Sequence, residues 1–285
     1  MTPEEAACLS NCELFSKSAE YFEANIVPLW QVLYDTMSGR AGATPGSRVL
    51  DVGTGTGEIA LRMSRAVGDS GSVLGVDTVE QMLAIAMRKG KAAGSSNLTF
   101  EGMSAEKLSL ADDSFDLVVG NYSLCCFMDY AAALKECLRV LKPGGRITYS
   151  HSGLGDPKEV ETTSEIFEKY KTKAPTERLA KIREADLLQN EAVEKYRDPE
   201  VALALMRRLG YADSKASQED RVVRYRDALA YVERELAFDW RDEAAEMSAQ
   251  EIQSFRKEAL AALGGSPGHE LVIKDHTVFF TGRKA

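Results

Sequence analysis

The stretch "LDVGTGTGEIA", Leu50 to Ala60, sets three glycines within five positions directly behind a short apolar run. RVLDV (48–52) reads as a buried strand, and GEIALRMSRAV (57–67) as a helix with Ile59, Ala60, Met63 and Val67 near one face. Between them Gly53, Gly55 and Gly57 make the turn. Missing side chains let a ligand lie against the backbone there, and the helix starting near Gly57 points its free N–H groups at the same place.

The same alternation continues on the C-terminal side. SVLGVD (72–77), LTFEG (98–102), FDLVVGN (115–121) and RITYSH (146–151) read as strands, with VEQMLAIAMRKGK (79–91) and DYAAALKECLRVL (129–141) as helices between them. Short apolar strands separated by helices of this length predict an α/β fold with a parallel sheet covered on both faces. Residues 152–198 break the pattern. They carry mixed charges and no strand signal, and read as two or three amphipathic helices punctuated by Pro157, Pro175 and Pro199. EVALALMRRLG (200–210) resumes the helix-on-sheet pattern, SQEDRVVRY is a candidate strand, two further helical stretches follow, and LVIKDHTVFFTGRK is a last strand. The expected organisation is a helical cap over residues 1–47, a core over 48–151, an inserted helical lid over 152–198, and a return to the core with ligand-side helices over 199–285. Tyr21, Phe22 and Trp30 give the cap aromatic surface to fold over a pocket mouth.

Composition narrows the function classes. The chain of 285 residues is 44% hydrophobic and 28% charged, with a net charge of −9 and no basic stretch to offset it. That balance argues against a nucleic-acid partner, since phosphate contacts supply most of such affinity. No apolar run reaches the roughly 20 residues of a membrane span, and the acidic start MTPEEAACLS lacks a secretory signal, so a cytoplasmic location is expected. The five cysteines, Cys8, Cys12, Cys125, Cys126 and Cys137, show neither a disulfide framework nor zinc spacing, and no metal site is expected.

In such sheets ligands bind beyond the carboxyl ends of the strands, where the strand order reverses. Two ligand classes share a glycine turn at that point. Dinucleotide dehydrogenases use G-x-G-x-x-G; here the spacing is G-x-G-x-G behind Asp51, and no Tyr-x-x-x-Lys pair is placed for hydride transfer. DVGTGTGEIA, GVDTVEQML, AEKLSLADDSFDLVV and RVLKPGGRI follow in order. Together they resemble the class I S-adenosylmethionine (SAM) methyltransferases of the methyltransferase 11 type, which include the ubiquinone/menaquinone-biosynthesis C-methyltransferases. The resemblance covers about Arg48 to His151, and VFFTGRK resembles the tail of such enzymes. It implies a Rossmann-like sheet of seven strands, the last antiparallel and lying between the fifth and sixth, SAM as cofactor, and a small-molecule methyl acceptor as partner.

Carried over by motif, Gly53, Thr54, Gly55 and Gly57 line the methionine portion of SAM, with Asp51 positioning its ammonium group. Asp77 holds the ribose hydroxyls, Thr78 and Met82 flank sugar and adenine, and Asn121 faces the methionine moiety. Ser104 departs from the family pattern, which often has Asp or Asn there to meet the adenine amine; the backbone around Ala105 and Glu106 is the alternative contact. Tyr122 and Cys125 face the acceptor side. His151, ending the fifth strand, is the best-placed titrating group and a candidate base, so Tyr122 and His151 are the candidate catalytic residues. Two other readings share these motifs. One is an arsenite methyltransferase, whose relatives carry an Asn-Cys pair where this chain has Asn121-Tyr122; the other is a SAM-binding protein without turnover. The acceptor atom (O, C, N or S) and the oligomeric state stay open.

Overall fold

The computed structural model describes every residue except 3, 4, 7 and 265–267, together with the side chains of Cys8, Ser10 and Cys125. Its centre is one seven-stranded sheet: β1 (Arg48–Val52), β2 (Ser72–Asp77), β3 (Leu98–Gly102), β4 (Phe115–Asn121), β5 (Leu141–Ser152), β6 (Tyr211–Tyr225) and β7 (Leu271–Lys284). The order across the sheet is β3-β2-β1-β4-β5-β7-β6. The first five strands are parallel, and β7 runs antiparallel between β5 and β6. The expected sheet and the place of its last strand are as the resemblance implies. The order reverses at β1, between β2 and β4, so the glycine turn sits at the switch point.

Buried strands with apolar residues on both faces need helices on both sides. On one face α1 (Glu13–Tyr21), α2 (Gln31–Ala41), α3 (Glu58–Val67) and α4 (Glu80–Ala92) gather; Met37, Ile59, Ala60, Met63 and Val67 pack there on Val49, Val73, Leu117 and Phe279. On the other, α5 (Tyr130–Val140) and α8 (Pro199–Leu209) press Leu134, Cys137, Leu203 and Met206 onto Val52, Val118, Ile147, Tyr149 and Phe280. Local signals fix the helix ends. Asp129 accepts the Ala132 N–H at 2.8 Å, and Asp198 accepts the Glu200 N–H at 2.9 Å ahead of Pro199.

The segment after β5 forms α6 (Lys158–Glu168) and α7 (Glu177–Val193); after β6 come α9 (Ala228–Ala237), α10 (Arg241–Ala244) and α11 (Ala249–Ala262). β7 pairs with β5 only from Thr277 onward, while its residues from Leu271 pair with β6, so the two outer strands project as a ribbon. On that ribbon Val223, Tyr225 and Ile273 pack with Ile166, Phe167, Tyr231, Val232 and Phe255 in a separate small core. This satellite core holds the end of α9 over the carboxyl edge of the sheet.

Candidate active site

A cavity of about 440 Å³ lies at the carboxyl ends of β1, β2 and β4, within the size range of small-molecule sites. Its floor is the turn after β1. Gly53 and Gly55 have φ of +62° and +54°, a region that side chains rarely adopt. A Cβ on Gly53 would sit 2.3 Å from the Ser123 Cβ, so that glycine lets the turns after β1 and β4 touch. A Cβ on Gly55 would meet no protein atom within 4 Å. Gly55 lines the cavity, so its open side is ligand space.

Two carboxylates flank the turn. Asp77, at the end of β2, accepts the Gly55 N–H at 2.8 Å on Oδ2 and the Val79 N–H at 3.0 Å on Oδ1. Burial raises its pKa, opposed by those N–H groups and by that of Thr78. Asp51 is 1% exposed and accepts the Thr54 hydroxyl at 2.7 Å. Burial pushes it up to about 7, against the Thr54 hydrogen bond. Around the cavity the charged side chains are Asp51, Glu58, Asp77, Glu106 and Asp239 against one guanidinium, Arg234, among the described residues. Such a lining favours a cationic ligand.

Asp51, Gly53, Thr54, Gly55, Asp77, Thr78, Met82, Ser104, Asn121 and Tyr122 all line this cavity. Three expected residues do not. Gly57 is occupied by packing: a Cβ there would come within 3.0 Å of the Ala86 Cβ and 3.1 Å of the Phe100 ring, so it admits α4 and β3 and not a ligand. The Ala105 methyl is buried in the core facing α5 and α8. His151 is the third. β5 runs on to Ser152, so His151 pairs with Val278 inside the sheet. Strand alternation puts its ring on the same face as Tyr149, 4.9 Å from the Phe280 ring, with Nδ1 2.6 Å from the Ser152 carbonyl. Burial lowers its pKa, opposed by that carbonyl. It is a neutral core residue away from the cavity. Cys125 lies outside the described side chains.

Ser104 uses its hydroxyl to accept the Glu106 N–H at 3.2 Å, and the Glu106 carboxylate accepts the Asp129 N–H at 2.8 Å. Asn121 accepts the Ser150 hydroxyl at 2.9 Å. Tyr122 has φ of +52°, a costly backbone for an aromatic residue. Its hydroxyl lies 2.8 Å from the Thr277 hydroxyl, and its ring is 5.2 Å from that of Trp30.

The opposite wall comes from parts of the chain with no motif. The cap supplies Asn11, Cys12, Phe15, Phe22, Ile26, Trp30 and Tyr34, and the end of α9 supplies Arg234, Phe238 and Asp239. Phe15, Phe22 and Phe238 form a cluster with ring centroids 5.6–5.8 Å apart. Of the cap aromatics Phe22 and Trp30 line the cavity and Tyr21 does not, and residues 152–198 contribute nothing to its lining. Helix α7 instead lines a neighbouring polar cavity of about 320 Å³. The run RELAFDW, mixing aromatic and charged residues at a helix end, was the one signal for the α9 contribution. Among the described residues, no cluster of three or more His, Cys, Asp or Glu side chains could hold a metal ion, and no helix is long and apolar enough to cross a membrane.

The model of the ubiE/COQ5 methyltransferase family matches residues 21–219. A protein of Vibrio campbellii, the ubiquinone/menaquinone biosynthesis C-methyltransferase UbiE, is 36% identical over 148 residues, covering 47% of this chain and 57% of the relative. The chain thus matches little more than half the length of that curated relative. Among solved structures, the Haemonchus contortus phosphoethanolamine N-methyltransferase 2 in complex with S-adenosyl-L-methionine superposes with a TM-score of 0.59 at 17% identity, over 98% of this chain and 60% of that one. The [4+2]-cyclase SpnF superposes with a TM-score of 0.51 at 22% identity, over 88% of this chain and 79% of that one. These superpositions establish a shared fold.

Proposed function

The chain belongs to the ubiE/COQ5 methyltransferase family, and from that premise we propose that it binds SAM and transfers its methyl group to a small, planar, quinone-like acceptor. The observation that carries this reading is the Asp77–Gly55 contact at the edge of an acid-lined cavity. Both Asp77 oxygens are fixed by backbone N–H groups, and the carboxylate keeps acceptor capacity for a ribose hydroxyl. The side of Gly55 that a Cβ would fill suits the methionine portion, and Asp51 with Thr54 suits its ammonium group. Thr78, Met82 and Ser104 line the sugar and adenine end.

When bound, SAM supplies a methyl group as an electrophilic carbon on a sulfonium. The protein's part is alignment and exclusion of water. Tyr122, Trp30, Phe22 and Phe238 form the apolar wall beside the methionine end, and Asn121 is held in place by Ser150. His151 takes no part, being buried on the far face of β5.

The acceptor class rests on that aromatic wall and on the UbiE-type relative. The fold also serves a protein described as a cyclase, so the test must separate binding from turnover. Calorimetry with SAM, S-adenosylhomocysteine and NAD is expected to show binding of the first two only. Labelled SAM with a demethylated naphthoquinol is expected to give labelled product; binding without label transfer to this probe or to a metabolite extract would establish a non-catalytic binder. A second reading, arsenite methylation, draws on Cys12 and Cys126, whose residues line the same cavity. Arsenite-dependent turnover that is lost in Cys126→Ser would favour it.

A further inference from the structure

Among the cavity-lining residues, Asp239 stands where two spaces meet. It lines the main cavity beside Phe238, and it also lines the polar neighbouring cavity, which shares Asn11 and Cys126 with the first. Its Oδ2 is 2.7 Å from Arg234 Nη1, and Arg234 also pairs with the buried Glu235. The Asp239 side chain keeps 40% of its surface exposed, so the pairing leaves the carboxylate open to a ligand. An ion pair in the wall of an aromatic chamber pays a desolvation cost that an apolar pair would avoid. The satellite core that carries α9 has its own apolar contacts and does not need Asp239.

We propose that Asp239, held by Arg234, is the specificity-determining residue of the acceptor chamber: it accepts a hydrogen bond from a hydroxyl on a planar aromatic acceptor whose body lies against the Phe22–Trp30–Phe238 wall. The proposal rests on the methyltransferase reading above. A neutral hydroxyl costs less than an ammonium group to bring out of water against the aromatic Phe22–Trp30–Phe238 wall. Arg234 is shared between Asp239 and the buried Glu235, and the guanidinium behind the wall, Arg221, 5.0 Å from the Trp30 ring and 5.3 Å from the Tyr122 ring, is paired with Asp275. A hydroxyl donating to a carboxylate gains a charge-assisted bond, and an acceptor lacking it leaves that carboxylate facing an apolar surface.

The test is calorimetry on the full chain saturated with S-adenosylhomocysteine, with 1-naphthol as probe and 1-methoxynaphthalene and protonated 1-naphthylmethylamine as comparisons. Asp239→Ala leaves the Arg234–Glu235 pair in place, so the fold and homocysteine-product affinity are expected to persist. Affinity for 1-naphthol should fall about tenfold or more, with a smaller loss in Asp239→Asn, which keeps a carbonyl acceptor, and no change for 1-methoxynaphthalene. Equal 1-naphthol affinity in wild type and Asp239→Ala, no 1-naphthol binding to the product-loaded wild type, or tighter binding of the amine would overturn the proposal. Failure of the wild type to bind S-adenosylhomocysteine at all would instead overturn the family-based reading, and this assignment with it.

Discussion

The Asp77 carboxylate accepts the Gly55 N–H at 2.8 Å, tying the end of β2 to the turn after β1. One side chain thereby fixes the shape of the glycine turn and stays available to a ligand. Removing it has two separable effects: the turn loses a charge-assisted contact, and, on the proposed reading, the ribose would lose its acceptor. Asp77→Asn keeps the size and one acceptor oxygen but lacks the charge. SAM affinity measured by calorimetry should drop about tenfold or more in Asp77→Ala and by less in Asp77→Asn. Unchanged affinity in Asp77→Ala would remove it from the site.

Gly55→Val tests the space beside the turn. A valine side chain meets no protein atom at its Cβ, so the fold should persist, with a strain cost of about 1–3 kcal/mol at a φ of +54°. Its methyls would project into the cavity, and SAM binding should be lost. A variant that melts cooperatively and still binds SAM with native affinity would show that the ligand lies elsewhere.

Asp51 gives the site a pH dependence. Burial raises its carboxyl to about 7, against an unfolded value of about 3.9. Below pH 7 the folded protein therefore holds a proton there that an incoming ammonium group must displace. SAM affinity should weaken by up to about tenfold per pH unit below 7, with proton release seen as a buffer-dependent binding enthalpy. Asp51→Asn should abolish that release. Because a raised carboxyl pKa favours the folded state when protonated, the stability it contributes is present at pH 4 and is lost as pH rises towards 7 in the unliganded protein.

His151 should matter for stability and not for ligand affinity. His151→Ala is expected to leave SAM binding unchanged and cost about 2–5 kcal/mol of stability, as other large-to-small core changes do. Its pKa is lowered by burial, so the folded state resists protonation. The stability it contributes is present above about pH 6.5 and is lost as pH falls below it. Thermal melts of wild type and His151→Phe across pH 5–7 should diverge on the acid side. A large loss of turnover with unchanged stability would return His151 to the active site.

Much of the cavity lining was legible because its parts are local. Asp51 to Gly55, Asp77 with Thr78 and Met82, and Asn121 with Tyr122 each follow one strand directly, and strand ends can be read from apolar runs. The sheet was legible for the same reason, apart from the first residues of β5, Leu141–Gly145, where Pro143-Gly144-Gly145 read as a helix stop, and the first residues of β6. Tyr211–Ala216 carry polar residues along an edge strand, with an irregular register between Ala212 and Lys215, and so lack the apolar signature of a strand. His151 was misplaced because periodicity gives alternation but not which face a strand end presents; that depends on how far β5 continues alongside β7. Asp239 and the Phe15–Phe22–Phe238 cluster join positions more than 200 residues apart and answer to packing alone. Gly57 shows the reverse error, a glycine of the motif whose missing side chain serves helix–strand contact.

The place of β7 has a consequence for assembly. β6 pairs with no other strand, and the outer edge of β5 is filled by the same partner. The strand that joins them comes later in the chain than both, beyond α9, α10 and α11. During synthesis the parallel half can form while β5 still presents unpaired backbone groups, an invitation to wrong partners. The satellite core on the β6–β7 ribbon, and with it the wall that carries Phe238 and Asp239, must wait for that strand. The glycine-turn side of the cavity and the cap both precede β7 in the chain, so the part of the wall made by Phe238 and Asp239 is the part that depends on the last strand.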